Sequence, residues 1–174
     1  YFDCDPMQGT KPYTGTFFVC PTYEKFLEQF TMIENNKAFF KIDLVVLDTI
    51  DGLYELIEKK VCRDYNTADL FEIKVPQVGN GYSIVNGIFT DIIARMVATG
   101  KILISICHTK NSKIGKSEII QQFATVLNLP PKLQQWVPDT ADANFWLSVT
   151  TAEGSTEPFM RVTTSSTDPY CSYT

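Results

Sequence analysis

The run AFFKIDLVVLD, Ala38 to Asp48, decides how the rest of the chain is read. It starts in alternation and becomes continuously apolar, the pattern of a strand buried on both faces in the middle of a sheet. Directly after it, Asp51 to Lys60 places Leu53, Leu56 and Ile57 at helical spacing. Before it, Thr22 is a natural N-cap for a helix whose apolar face is Tyr23, Phe26, Leu27, Phe30 and Ile33, closed by Asn35 and Asn36. A strand rich in β-branched and aromatic residues, residues 13 to 20, comes ahead of that helix.

Further along, Leu70 to Val75 alternates apolar and charged residues and reads as a half-buried strand, with a turn at Gly79-Asn80-Gly81. Ile84, Val85, Ile88, Phe89, Ile92, Ile93, Met96 and Val97 form a wide helical stripe, and Gly100 suits the residue just past its end. Lys101 to His108 follows as a strand. Ser117 is read as capping another helix with Ile119, Ile120, Phe123, Val126 and Leu127 on its apolar side, stopped by Pro130-Pro131. A turn around Leu133 to Trp136 and two antiparallel strands, Phe145 to Thr150 and Phe159 to Thr163, complete the order. The fold expected is mixed α and β, a single layered domain over residues 1–174 with a central sheet and about three to four helices. The alternation leaves α/β and α+β both open.

With 174 residues, 44% hydrophobic and 20% charged, the chain has the composition of an ordered domain with one core. Its net charge of −5 argues against general nucleic-acid binding, which needs a clustered excess of Lys and Arg. Lys110, Lys113 and Lys116 read as a solvated loop. The longest apolar run, Ile42 to Leu47, is broken by Asp43, so no membrane span is expected.

The chain opens at Tyr1 without Met, as after processing or by design of the expressed sequence. Cys4 and Cys171 stand near the two ends in polar, turn-like sequence, a placement that suits a staple between the termini. That staple would also anchor the Ser/Thr-rich tail, residues 163–174. Cys20 and Cys62 are the candidates for a second disulfide, and Cys107, inside an apolar run, is expected as the free thiol. No metal-ligand spacing occurs, so neither a metal nor another cofactor is expected.

Motifs for catalysis are sparse. His108 is the one histidine, and its neighbour Cys107 would point to the opposite face of a strand, which disfavours a Cys-His dyad. Gly115-Lys116-Ser117 ends like a phosphate-binding loop, yet Lys110 occupies the place of the first glycine, so Ser117 is read as a helix cap. Asp139, Asp142 and Asn144 are oxygen donors without the EF-hand order, hence a plain acidic loop. No catalytic residue is assigned. Trp136, Trp146 and Tyr82 are the aromatics expected to serve as binding anchors.

The opening Tyr1-Phe2-Asp3-Cys4-Asp5 resembles the start of mature secreted effector candidates from powdery mildew fungi, which carry an aromatic-x-Cys motif. Phe2, Asp3 and Cys4 match the motif. Cys171 stands where that family's partner cysteine would be. The resemblance implies secretion, a Cys4–Cys171 pairing, a virulence role and a non-catalytic protein that binds a host protein. Many of its members are ribonuclease-like in fold, from which this chain departs in length and in number of helices. The alternatives are a secreted hydrolase or ribonuclease-like enzyme, for which Glu72, His108 and Arg161 are the available acid–base and phosphate-binding groups, and an extracellular small-ligand or sensor domain.

Overall fold

A computed structural model describes residues 1–5, 16–35, 42–114, 122–151 and 158–163. The expectations placed on Cys171, on the 163–174 tail beyond Thr163 and on Gly115-Lys116-Ser117 lie outside the described residues. The chain divides into two compact units, Tyr1–His108 and Thr109–Thr174, each described by itself.

The first unit is a four-stranded parallel sheet with helices. In chain order it holds β1 (Phe2–Asp3), β2 (Phe18–Val19), α1 (Tyr23–Asn35), β3 (Leu44–Asp48), α2 (Ile50–Asp64), β4 (Lys74–Val75), β5 (Gly79–Asn80), α3 (Gly81–Ala98) and β6 (Ile102–Ile106). The sheet order is β2-β1-β3-β6, with Phe2 opposite both Phe18 and Leu47, and Leu44 to Asp48 opposite Ile102 to Ile106. β3 is therefore a central strand, as its apolar run requires.

Alternation along the strands divides the sheet into two faces. Phe2, Val45 and Leu47 point to the covered face and are buried. The Phe2 ring meets Phe26 at 5.2 Å and Phe30 at 6.3 Å, both on α1. Arg95 of α3 lies 5.3 Å over the Phe30 ring and bonds Glu34, while Arg63 of α2 pairs with Glu24, so the three helices form one layer. Two glycines permit the close packing at its ends. A Cβ on Gly52 would stand 2.8 Å from the Cys4 carbonyl oxygen, and one on Gly81 would stand 2.6 Å from that of Leu70.

The helix ends follow the sequence. The Thr22 hydroxyl accepts from Lys25 N at 3.2 Å, Thr49 caps α2, Asn80 caps α3, and Gly100 adopts φ +69° past the end of α3. Other readings are corrected. Helix α2 runs through Cys62 rather than stopping at Lys60. Leu70 to Ile73 is a turn, not a strand, because burying Leu70 and Ile73 needs no ladder and leaves Phe71 outside; only Lys74–Val75 pairs, with Gly79–Asn80.

The second unit contains β7 (Thr109–Ile114) paired antiparallel with β8 (Gln122–Leu127), α4 (Pro131–Thr140), and β9 (Trp146–Thr151) paired antiparallel with β10 (Pro158–Thr163). The helix read after Ser117 is, over its described part, the strand β8. Phe123, Val126 and Leu127 fit a helical stripe, but Thr125 and Val126 are β-branched and the ladder to β7 satisfies the backbone. Conversely, the turn at Leu133 to Trp136 is the helix α4, begun by Pro131 at its first turn and anchored by buried Leu133.

Candidate functional site

All four strands of the sheet run the same way, so the chain leaves β1, β3 and β6 at one edge. In open α/β sheets this carboxyl edge is where ligands bind. β3 ends in Asp48, the cap Thr49 follows, and Asp51 lies in the first turn of α2. β6 ends at Ile106, and Cys107 and His108 come next. Asp48, Thr49 and Asp51 are the buried polar or charged residues of the described core.

Asp51 grips His108 twice. Its Oδ1 accepts the His108 main-chain N–H at 3.1 Å, and its Oδ2 lies 3.0 Å from Nδ1. The carboxylate is 5% exposed and the imidazole 45%, so a buried acid holds a half-open ring. A carboxylate against one ring nitrogen orients the imidazole and leaves Nε2 as the nitrogen not held by Asp51, a geometry that acid–base histidines share. Beside it, the Tyr1 hydroxyl donates to Asp48 Oδ2. Burial pushes the Asp48 carboxyl above the usual range, His108 opposes this, and the Asp51 charge adds to it. Cys107 Sγ donates to the main-chain oxygen of His108 at 3.2 Å.

Glu72, the carboxylate considered with His108, instead accepts from the Thr67 hydroxyl. Arg161 is in β10 of the second unit, opposite Ser148. Among the described residues no His/Cys/Asp/Glu group of three is placed to hold a metal, and no helix is long and apolar enough to cross a membrane. A shallow groove of about 550 Å³ is lined by Tyr23, Leu27, Thr31 and Met32 of α1 and by Lys60 of α2; Asp48, Asp51 and His108 do not line it.

The sheet's second face presents a different surface. Val19, Leu44, Ile102, Ile104 and Ile106 alternate with the buried set and are 42 to 65% exposed. Parallel sheets of this kind normally have both faces covered. Leu44, Ile102, Ile104 and Ile106 are neighbours on β3 and β6, which exceeds the scattered exposure usual for a surface, while Val19 lies across Asp3 and Asp48 from them.

The predicted anchors are divided between the units. Tyr82, half-buried at the start of α3, meets Phe71 edge-on at 4.9 Å, and Phe71 is 63% exposed. Trp136 on α4 and Trp146 on β9 are half-buried in the second unit. Beside Trp146, the cross-strand pairs Leu147–Val162 and Val149–Met160 put four exposed apolar side chains on one face of the β9–β10 hairpin.

Cys4, Cys20, Cys62 and Cys107 carry free thiols. Cys4 and Cys20 are the buried ones, whereas Cys107, expected as the free thiol, is half-buried. The pairing proposed for Cys171 falls outside the described residues. Compared with protein-family models, curated proteins and solved structures, the chain matches none of them.

Proposed function

We propose that this chain is a secreted, effector-type protein that acts by binding a host protein rather than by turning over a substrate. The observation that carries the reading is the open sheet face of Val19, Leu44, Ile102, Ile104 and Ile106. Its occupant is an amphipathic helix of the partner, because helices cover the faces of parallel sheets and an apolar stripe fits a row of isoleucines. The resemblance carried by Phe2, Asp3 and Cys4 supports the compartment. A photo-crosslinking residue at position 104 should trap one host protein, and Ile102→Lys with Ile106→Lys should abolish the adduct while the fold is kept. Crosslinking only to a second copy of the chain, or to nothing, overturns the proposal.

A second reading, a hydrolase or ribonuclease-like enzyme, is favoured by one observation, the Asp51–His108 pair beside Asp48 at the carboxyl edge of the sheet. The first reading expects no cleavage of RNA. Cleavage that disappears in folded His108→Ala and Asp51→Asn variants would put the second reading in its place.

A further inference from the structure

We propose that Cys4 and Cys20 are a disulfide-forming pair that ties β1 to β2 within the core. The geometry of the parallel ladder places them together. Asp3 pairs with Val19, and the Cys20 N–H bonds the Asp3 carbonyl at 2.8 Å, so Cys4 and Cys20 stand at the next register position. Neighbouring strands are ~4.8 Å apart, within the ~4.4–6.8 Å between Cα atoms that a disulfide bridges. Alternation from Phe2 and Phe18 turns both side chains to the helix-covered face, where Cys4 is 3% and Cys20 0% exposed.

The two thiols are neighbours in the buried layer. Cys20 beside it, together with burial, pushes the Cys4 thiol up, and Cys20 Sγ donates to Gln29 Oε1 of α1 at 3.2 Å. Two thiols side by side in an apolar layer close into a disulfide with little movement of the backbone.

The oxidant is a small disulfide such as oxidised glutathione. A thiolate of the pair attacks it and forms a mixed disulfide, and one glutathione thiolate leaves with a proton. The second cysteine thiolate then displaces the other glutathione, so two protons and two electrons pass from the pair to one glutathione disulfide. The exchange takes place during folding, while both sulfurs are reached by solvent, and packing of α1 then shields the bond. This pairing uses Cys4 and therefore competes with a Cys4–Cys171 staple. It does not depend on the binding role proposed above.

The test is to refold the full chain in oxidised and reduced glutathione, block free thiols with N-ethylmaleimide, digest with chymotrypsin without reduction and map the peptides. Cleavage at Tyr13, Phe17 or Phe18 separates the two cysteines. The result expected is a linked Cys4–Cys20 peptide that persists in Cys171→Ser. Cys4 linked to Cys171, or Cys4 and Cys20 both recovered as maleimide adducts, overturns the proposal. As a second readout, reductant should lower the Tm by on the order of 5–10 °C, with no such drop in the Cys4→Ser, Cys20→Ser double variant. An equal drop in both proteins counts against the pair, and if the double variant does not fold, the map on the wild-type chain decides.

Discussion

The two faces of the four-stranded sheet are built from the same kinds of residue and have opposite fates. Phe2, Val45 and Leu47 lie under three helices, while Leu44, Ile102, Ile104 and Ile106 remain exposed one residue out of phase with them. Hydrophobicity alone did not decide burial here; the helices all docked on one side. A side chain on the covered face stabilises the fold, whereas one on the open face contributes little to it and is available for binding.

That contrast can be broken by substitution. Phe26→Ala, which deletes a fully buried ring against Phe2 and Phe30, should cost ~3–5 kcal/mol. Ile104→Ser on the open face should cost less than ~1 kcal/mol. Urea denaturation followed by circular dichroism measures both, and equal losses would mean that the open face is covered in solution. Gly52→Ala sharpens the same contrast at the edge of the covered layer, where the added methyl meets the Cys4 carbonyl oxygen. A loss of ~1–3 kcal/mol is expected.

The smallest effect concerns pH. Burial raises the Asp48 carboxyl in the folded state, so the fold favours its protonated form. Its contribution to stability is fully present below the ordinary aspartate value of ~3.9 and is lost as pH rises through the elevated folded value. Glu58, also raised by burial, acts in the same direction. Asp48→Asn keeps an acceptor for the Tyr1 hydroxyl. It should flatten part of that decline in a series of melting temperatures taken from pH 4 upward, and an unchanged slope would mean that Asp48 does not titrate in this window.

Periodicity made part of this architecture legible. The helical stripes of α1 and α3 appear in the structure as read, because each is long enough for its period to be unambiguous. The apolar runs are strands within shorter bounds, Leu44–Asp48 and Ile102–Ile106, and β3 is central in the sheet but covered on one face, not two. β1 has only Phe2 and Asp3, too short for any pattern, and it is recognised by its neighbours β2 and β3 alone. Residues 122–127 satisfy both periods, so their pairing with β7 decided the outcome. The Asp51–His108 pair left no local trace, since the turn after β3 and the end of β6 meet only when the parallel ladder forms. The open face was hidden for a related reason: a strand covered on both sides and one covered on a single side can share the same apolar run.

The parallel ladder also sets the order in which the molecule can assemble. Leu44 must find Ile102 across a segment that holds α2 and α3, whereas β7 with β8 and β9 with β10 are joined by short connections. Ladders between distant segments close slowly, because the entropy of the intervening chain is lost before any contact repays it. On a ribosome β2, α1 and β3 emerge long before β6, and until β6 arrives β3 has an unpaired edge. Between synthesis of Asp48 and of Ile102, β3 therefore carries an unpaired edge of the kind that can pair with another chain.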